Sequence, residues 1–422
     1  MSGVPAAYLA IWSIAIVSVA GVIVRPWQIP EAAWAVGGAC LLVMSGLLPW
    51  HDAIRAVGKG FDVYLFLAGM MLLSELARRE GLFDFLAAHA VRLARGSPRR
   101  LFLLTYVIGT VVTVFMSNDA TAVVLTPAVY AAARKARADT LPYLFACAFI
   151  ANAASFALPI SNPANLVIFG RHMPLLLQWL AQFSVPSVLA IVATFVVHRW
   201  IERDHLGAGI DSGIAVPALS RGGAITGYGI VFVAFALLVA SFGGVALGLP
   251  TLLATGAVAM VALVAKREAP WATLRHVSWG VLLLVAGLFV LVQGLQDTGV
   301  VARLATLLQS GARIAPDATA WSAGVALALA CNLVNNLPLG LIAGSAVNSV
   351  HVDPLLRGAV TIAIDVGPNL SVTGSLATIL WLTAIRREGE DVSALSFLRR
   401  GALVMPVALL AALAFLWLMQ RG

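Results

Sequence analysis

The sequence predicts an all-α polytopic membrane protein of about ten transmembrane helices in two inverted repeats, each with a re-entrant hairpin and a broken helix. Three observations predict it. Of 422 residues 61% are apolar and 11% charged, with a mean hydropathy of +0.95, whereas a soluble domain is about one half apolar and one quarter charged. Apolar runs long enough to cross a bilayer, about 20 residues each, recur along the whole chain. Four apolar runs are interrupted by polar residues, at "SND" (117–119), "SNPAN" (161–165), "NLVNN" (332–336) and "DVGPN" (365–369), in the same order in each half.

The first run, 6–24, has no basic region before it and no cleavage site after it. It reads as a span and not as a cleaved signal. Spans follow at 30–48 and 61–77. Asp62 and Glu75 fall at the two ends of the latter, Asp62 solvated near the outer surface and Glu75 at the inner interface beside Arg78 and Arg79. Residues 82–95, "LFDFLAAHAVRLAR", look amphipathic and interfacial. The stretch 101–133 is too long for one crossing and too short for two, so it reads as a hairpin of two half-helices with "SND" at its tip. A broken helix at 141–170 and a span at 175–199 complete repeat 1, residues 1–200. After a cytoplasmic linker, 201–221, repeat 2 (222–422) has spans 222–241, 247–265 and 277–295, a hairpin 318–346, a broken helix 355–382 and a span 401–420. The rival is a twelve-span reading, in which both hairpin arms, or residues 82–95, cross.

Charge tests this count. With the N-terminus outside and the hairpins not crossing, 20 of the 27 Lys and Arg fall on inner segments and 7, Arg171 among them, on outer ones. That is the positive-inside bias. It also accounts for the net charge of +8 without nucleic acid, since the cations sit in short clusters between apolar runs.

The halves match each other. Residues 67–87 align with 285–305 at an offset of 218, placing Gly69 with Gly287 and Gly81 with Gly299. An offset of 217 sets "SNDAT" over "VNNLP", pairing Asn118 with Asn335 and Asp119 with Asn336. An offset of 213 sets 150–165 over 363–378, pairing Asn152 with Asp365, Asn162 with Ser375 and Asn165 with Thr378. Five spans per half is an odd number, so the second half is inverted, and each hairpin is expected to pack on the broken helix of its own repeat. Interrupted helices at corresponding positions of two halves point to a transport site near the midplane.

Non-helical backbone at membrane depth is tolerated only beside protein or a water-filled cavity. Ser and Asn suit such breaks because they cap the half-helices that follow, leaving backbone N–H groups and a positive dipole end toward the cavity. The expected substrate contacts are Ser117, Asn118, Asn162, Asn165, Asn335, Asn336, Thr373 and Ser375. Asp119 and Asp365 are the expected proton-coupling residues, because carboxylates in the membrane usually mark ion or proton pathways. No Lys or Arg lies within any break, which disfavours a multiply charged carboxylate held by ion pairs.

Cys40, Cys147 and Cys331 lie in separate runs without paired spacing, so neither a disulfide framework nor a metal site is expected. No G-x-x-x-x-G-K-[ST] loop and no H-E-x-x-H occurs, and the seven His, His172 and His351 included, are scattered at segment ends. The chain reads as a secondary transporter without cofactor, not as an ATPase or membrane protease.

"SNDATAVVLTP", "FIANAASFALPISNPANLVI", "NNLP" and "DVGPNLSVTGSLATILWL" resemble the motifs of the ArsB family of arsenite and antimonite efflux permeases, within the ion transporter superfamily, from about residue 60 to the C-terminus. The resemblance implies a multi-pass protein of the bacterial cytoplasmic (inner) membrane that exports trivalent arsenic or antimony hydroxide in exchange for protons. Some members use a soluble ATPase subunit, and a homodimer is left open. The chain departs from the family pattern at Asn152, where the family has Asp, and at Asn369, where it has Lys. The alternatives are a Na⁺-coupled carboxylate or anion carrier, and a Na⁺/H⁺ exchanger, of the same superfamily.

Overall fold

The computed structural model describes residues 6–170, 173–350 and 352–421. Arg171, His172 and His351, used above, lie outside the described residues. Within them the chain is helical, with no strand.

Repeat 1 begins with α1 (Ala6–Val24), α2 (Glu31–Met44) and the amphipathic α3 (Trp50–Lys59), which meets α4 (Phe61–Arg79) at a 50° bend. Gly81, at φ 70°, turns the chain into α5 (Leu82–Ala94). The first hairpin arm, α6 (Pro98–Met116), starts with proline at its first position and the Ser97 hydroxyl accepting from Arg100 N. The returning arm comprises α7 (Asn118–Ala120), a π-turn (Thr121–Leu125) and α8 (Thr126–Lys135). The first broken helix is α9 (Leu141–Ala153) and α10 (Pro163–Phe169), followed by α11 (Leu176–Ile201).

Repeat 2 runs through α12 (Arg221–Phe242), α13 (Gly248–Lys266), α14 (Trp271–Leu274) and α15 (Gly280–Asp297) to α16 (Val300–Ile314), which follows Gly299 at φ 82°. Its hairpin is α17 (Pro316–Val334) and α18 (Asn336–Ser349). The second broken helix is α19 (Pro354–Val366) and α20 (Leu376–Arg387), and α21 (Ala394–Arg421) closes the chain. Helix limits repeat with the sequence offsets. α6 and α17 are both 19 residues long and 218 apart, and α9 and α19 are both 13 residues long and 213 apart.

The helices form two bundles. The scaffold exchanges helices between repeats, with α2 packed along α15 and α13 along α4. Two repeat-mated glycines permit these contacts. A Cβ on Gly69 would stand 3.0 Å from Leu252 N of α13, and one on Gly287 would stand 2.6 Å from Ala35 C of α2. The core holds both hairpins, both broken helices, and α11 paired with α21. Each first arm packs on the broken helix of its own repeat, as expected, and the returning arms pack on both. α8 and its π-turn lie between α9 and α20, and α18 lies between α19 and α10. Inverted repeats around a shared axis bring the second halves of the two breaks to opposite partners.

Hydrogen bonds place the loops on two faces. Ile210 N donates to Gly96 O (3.1 Å) and Asp211 N to Ala136 O (2.8 Å), so the linker ties the two ends of hairpin 1 together. Tyr130 Oη donates to Glu388 O, Arg79 to Glu268 and Lys266 to Glu80 on this Arg-rich face. This is the face on which the positive-inside rule expects the cytoplasm. On the opposite face Asn348 donates to Ile168 O, Gln182 to Pro354 O, and Arg421 pairs with Asp317. Each hairpin therefore returns to the face it left.

Among the described residues eight helices, or nine with the bent pair α3–α4, are long and apolar enough to cross a membrane, and this count includes the first arms α6 and α17. Individual elements differ from expectation. The span at 30–48 is only the 14-residue α2, cut short where Gly46 adopts φ 71°. Residues 82–95 do not lie at an interface alone, since α5 buries Phe83, Ala87 and Val91 against both arms of hairpin 1. Its repeat mate α16 was not anticipated. Asp62 is half-buried and not solvated, because its carboxylate accepts from Gly248 N (2.7 Å) and caps α13.

Candidate functional site

The hairpin tips turn on two residues in the left-handed region, Ser117 (φ 131°) and Asn335 (φ 75°). Neither is glycine, so each stores about 1–3 kcal/mol of backbone strain. Asn335 secures its tip locally, with Oδ1 accepting from Leu337 N (3.3 Å) and Nδ2 donating to Thr373 O (3.2 Å). These turns fix the register of the repeat at the tips as 218. Ser117 corresponds to Asn335, Asn118 to Asn336 and Asp119 to Leu337. The 217 register is corrected, because the π-turn adds a residue to hairpin 1 only after its tip.

The breaks at 154–162 and 367–375 end on capping residues. Asn162 Oδ1 accepts from Ala164 N (3.0 Å) and Ser375 Oγ from Thr378 N (3.1 Å). The two breaks interlock through fully buried polar side chains. Asp365 Oδ1 accepts from Ser155 Oγ (2.6 Å) and from Asn162 Nδ2, while its Oδ2 is buried without a partner. Its repeat mate Asn152 accepts from Ser375 Oγ (3.1 Å), the mate of Asn162, and donates to Asn369 Oδ1 (3.0 Å) and Thr378 Oγ1 (3.2 Å). Buried polar groups are tolerated when hydrogen-bonded, and this network welds the two repeats at their centres.

Above the interlock, the first residues of four half-helices, Asn118, Pro163, Asn336 and Leu376, line one chamber of about 30 Å³ together with Asn162 and Asp119. Its scaffold wall is apolar: Leu67 of α4, and Val281 and Val285 of α15. Half-helix N-termini offer unpaired N–H groups and a positive end, whereas Asp119 brings a carboxylate. That carboxylate makes no hydrogen bond to any side chain or backbone group among the described residues. The chamber shares Leu67, Asp119, Pro163 and Val281 with a cavity of about 700 Å³ that runs past Ser117, Val123 and Glu75 to Arg78, His276 and Arg387 on the Arg-rich face. Glu75 is buried, and Arg78 donates to both its oxygens (2.7 and 2.8 Å).

Of the residues singled out by sequence, Asn118, Asn162, Asn336 and Asp119 line the chamber and Ser117 the cavity. Asn335 sits at its tip. Asn165, Thr373, Ser375 and Asp365 lie outside both. Asn165 donates to Ser155 O (2.9 Å) and Thr373 to Asn332 O (2.8 Å). Sequence reasoning missed Ser155, Val281 and the wall residues Leu67 and Val285, although the last two open the matched segments at offset 218. Cys147 and Cys331 are buried away from the chamber and Cys40 is exposed. Among the described residues no three His, Cys, Asp or Glu side chains converge on a possible metal position.

Comparison with known families matches residues 9–363 to the citrate transporter family, CitMHS. Among curated proteins, an uncharacterized transporter of Mycobacterium bovis is 26% identical over 97% of this chain and 98% of its own. Proteins named arsenical pump membrane protein are similar too: that of Yersinia enterocolitica is 27% identical over 90% and 91%, and one of Escherichia coli 28% identical over 89% and 91%. These names accord with the arsenite-permease motifs of the sequence. Among solved structures, the Alcanivorax borkumensis YdaH transporter superposes with a TM-score of 0.60 at 13% identity, covering 99% of this chain and 98% of that one. Neisseria gonorrhoeae MtrF, described with a class of antimetabolite efflux pumps, gives 0.52 at 11% identity, covering 97% and 94%. These two likenesses concern the fold alone. A helical membrane architecture with paired breaks around one chamber, and a family match over most of the chain, place this protein in the citrate transporter family of membrane transporters.

Proposed function

We propose that this protein exports a small neutral trihydroxide, arsenite or antimonite, from the cytoplasm of a bacterial cell in exchange for protons. The observation that carries the reading is the lining of the chamber, with three Asn, one Asp and no Lys or Arg. Arsenite is uncharged at neutral pH and needs hydrogen-bond partners rather than a counter-charge. The wide cavity toward the Arg-rich face suits loading from the cytoplasm, and the similar proteins named as arsenical pumps support the same substrate class. Asp119 stands in the path and is the nearer candidate for the exchanged proton. Asp365 is walled in beneath it. The core bundle moves against the scaffold to carry the chamber from one face to the other. Proteoliposomes holding the purified chain, given a pH gradient and no nucleotide, are expected to accumulate arsenite. Their failure to do so would sink the reading.

A second reading is a Na⁺-coupled carboxylate carrier, favoured by the half-helix N-termini that line the chamber and by the description of the family. Citrate uptake driven by a Na⁺ gradient in the same vesicles, without arsenite transport, would establish it instead.

A further inference from the structure

The 700 Å³ cavity runs to the Arg-rich face, and the repeat relationship identifies what stands in the matching place on the other face. α4 and α15 share the 218 offset, so Arg78 corresponds to Gln296. Beyond the π-turn the hairpins run at 217, so Ala128 corresponds to Ser345. Arg78 and Ala128 both line the open cavity. Their mates are in contact, with Gln296 Nε2 donating to Ser345 Oγ at 2.8 Å.

Two side-chain hydrogen bonds among the described residues join scaffold to core. One, from Arg25 to Thr383 Oγ1 (3.3 Å), lies beside the open cavity, which Thr383 itself lines. The other is Gln296 to Ser345. We infer that Gln296 and Ser345 form a latch that holds the outer gate shut while the inner face is open, and that this bond breaks each time the chamber turns outward. The inference rests on the transport reading of the cavity but not on any one substrate.

The two gates are chemically unequal. When the inner face closes, Arg78 and Ala128 cannot form an equivalent bond, because alanine has no side-chain acceptor and Arg78 is already held by both oxygens of Glu75. The outer-closed state therefore has a clasp that the inner-closed state lacks, which biases the resting protein toward cytoplasmic loading. A neutral hydrogen bond changes the ratio of the two states by about 2- to 12-fold.

The test is labelling with a membrane-impermeant maleimide in a background lacking Cys40, Cys147 and Cys331. A single cysteine replaces either Val123, which lines the inner cavity, or Leu341, its counterpart on hairpin 2. Gln296→Ala and Ser345→Ala are each expected to speed labelling of Leu341→Cys in right-side-out vesicles relative to that of Val123→Cys in inside-out vesicles, changing the ratio of the two rates by about 2- to 12-fold. The double variant should do no more than either single one, since both remove the same bond. Ser345→Thr, which keeps the hydroxyl, should label like the wild type, and unchanged unfolding midpoints in detergent separate gating from misfolding. Unchanged labelling in both alanine variants, or additive effects in the double variant, would overturn the latch. No substrate enters the assay, so a failed arsenite measurement leaves its outcome intact.

Discussion

Asn152 donates a hydrogen bond to Asn369 at 3.0 Å across the interlock of the two broken helices. These are the two positions at which the chain departs from the arsenite-permease pattern it resembles, where an acid and a base would stand. In this chain the two positions form one neutral amide pair. With neither charge present, Asp365 is the one ionisable carboxylate among the described residues of the interlock, and it bonds to Ser155 and Asn162 of the other repeat.

This contact predicts a charge cycle. Asn152→Asp or Asn369→Lys alone buries an uncompensated charge, and breaking such a pair costs about 3–5 kcal/mol. The double variant should recover most of that loss. Unfolding midpoints of the four proteins in detergent measure the coupling, and additive losses would show that the two side chains do not interact.

Asp119 and Asp365 differ in exposure and should differ in consequence. Asparagine can accept the hydrogen bonds that Asp365 accepts but cannot carry a proton, so Asp119→Asn and Asp365→Asn are both expected to fold. At least one, with Asp119 the nearer to the path, should lose pH-gradient-driven export of arsenite while retaining substrate exchange. If both variants export at wild-type rates across the pH range, neither is the proton carrier, and Glu75 in the cavity wall is the next residue to replace.

Asn118 and Asn336 begin the returning arms of the two hairpins and face one chamber. Replacing either with Ala leaves a substrate hydroxyl without its partner, at about 1–3 kcal/mol, or roughly 5- to 150-fold in affinity. Isothermal binding of arsenite to both variants checks this, and unaltered affinity in each would remove them from the site.

At the end of α11 on the Arg-rich face, Glu202 is buried at 1% exposure between His198 and Arg400. Burial would raise its pKa, but His198 and the Arg400 Nε bond at 2.6 Å outweigh that and lower it to about 2, against an ordinary value of 4.5. The carboxylate is thus depressed in the folded state, and its contribution to stability is complete above pH 4.5 and lost as the pH falls toward 2. Arg400→Gln should lower the unfolding midpoint at neutral pH and narrow its difference from wild type as the pH drops through that window. A difference that is constant with pH would argue that Arg400 acts only through its packing over the Phe145 ring.

Local features of the sequence determined the helices, the breaks and the two-fold repetition. An apolar run and a proline in the first helical turn act within a few residues, so α9 and α19 fall at the predicted offset of 213 to the residue. The tertiary structure decided what depends on contacts between residues more than 200 positions apart. It set the tip register, because the backbone at Ser117 and Asn335, not side-chain likeness, defines the turn. It paired α2 with α15 and α4 with α13, because Gly287 and Gly69 allow close approach to backbones in the other repeat. It also separated two aspartates that look alike in sequence. Asp119 faces the cavity because it lies in the first turn of the returning arm of a hairpin, and Asp365 is sealed because its helix ends inside the other repeat's break.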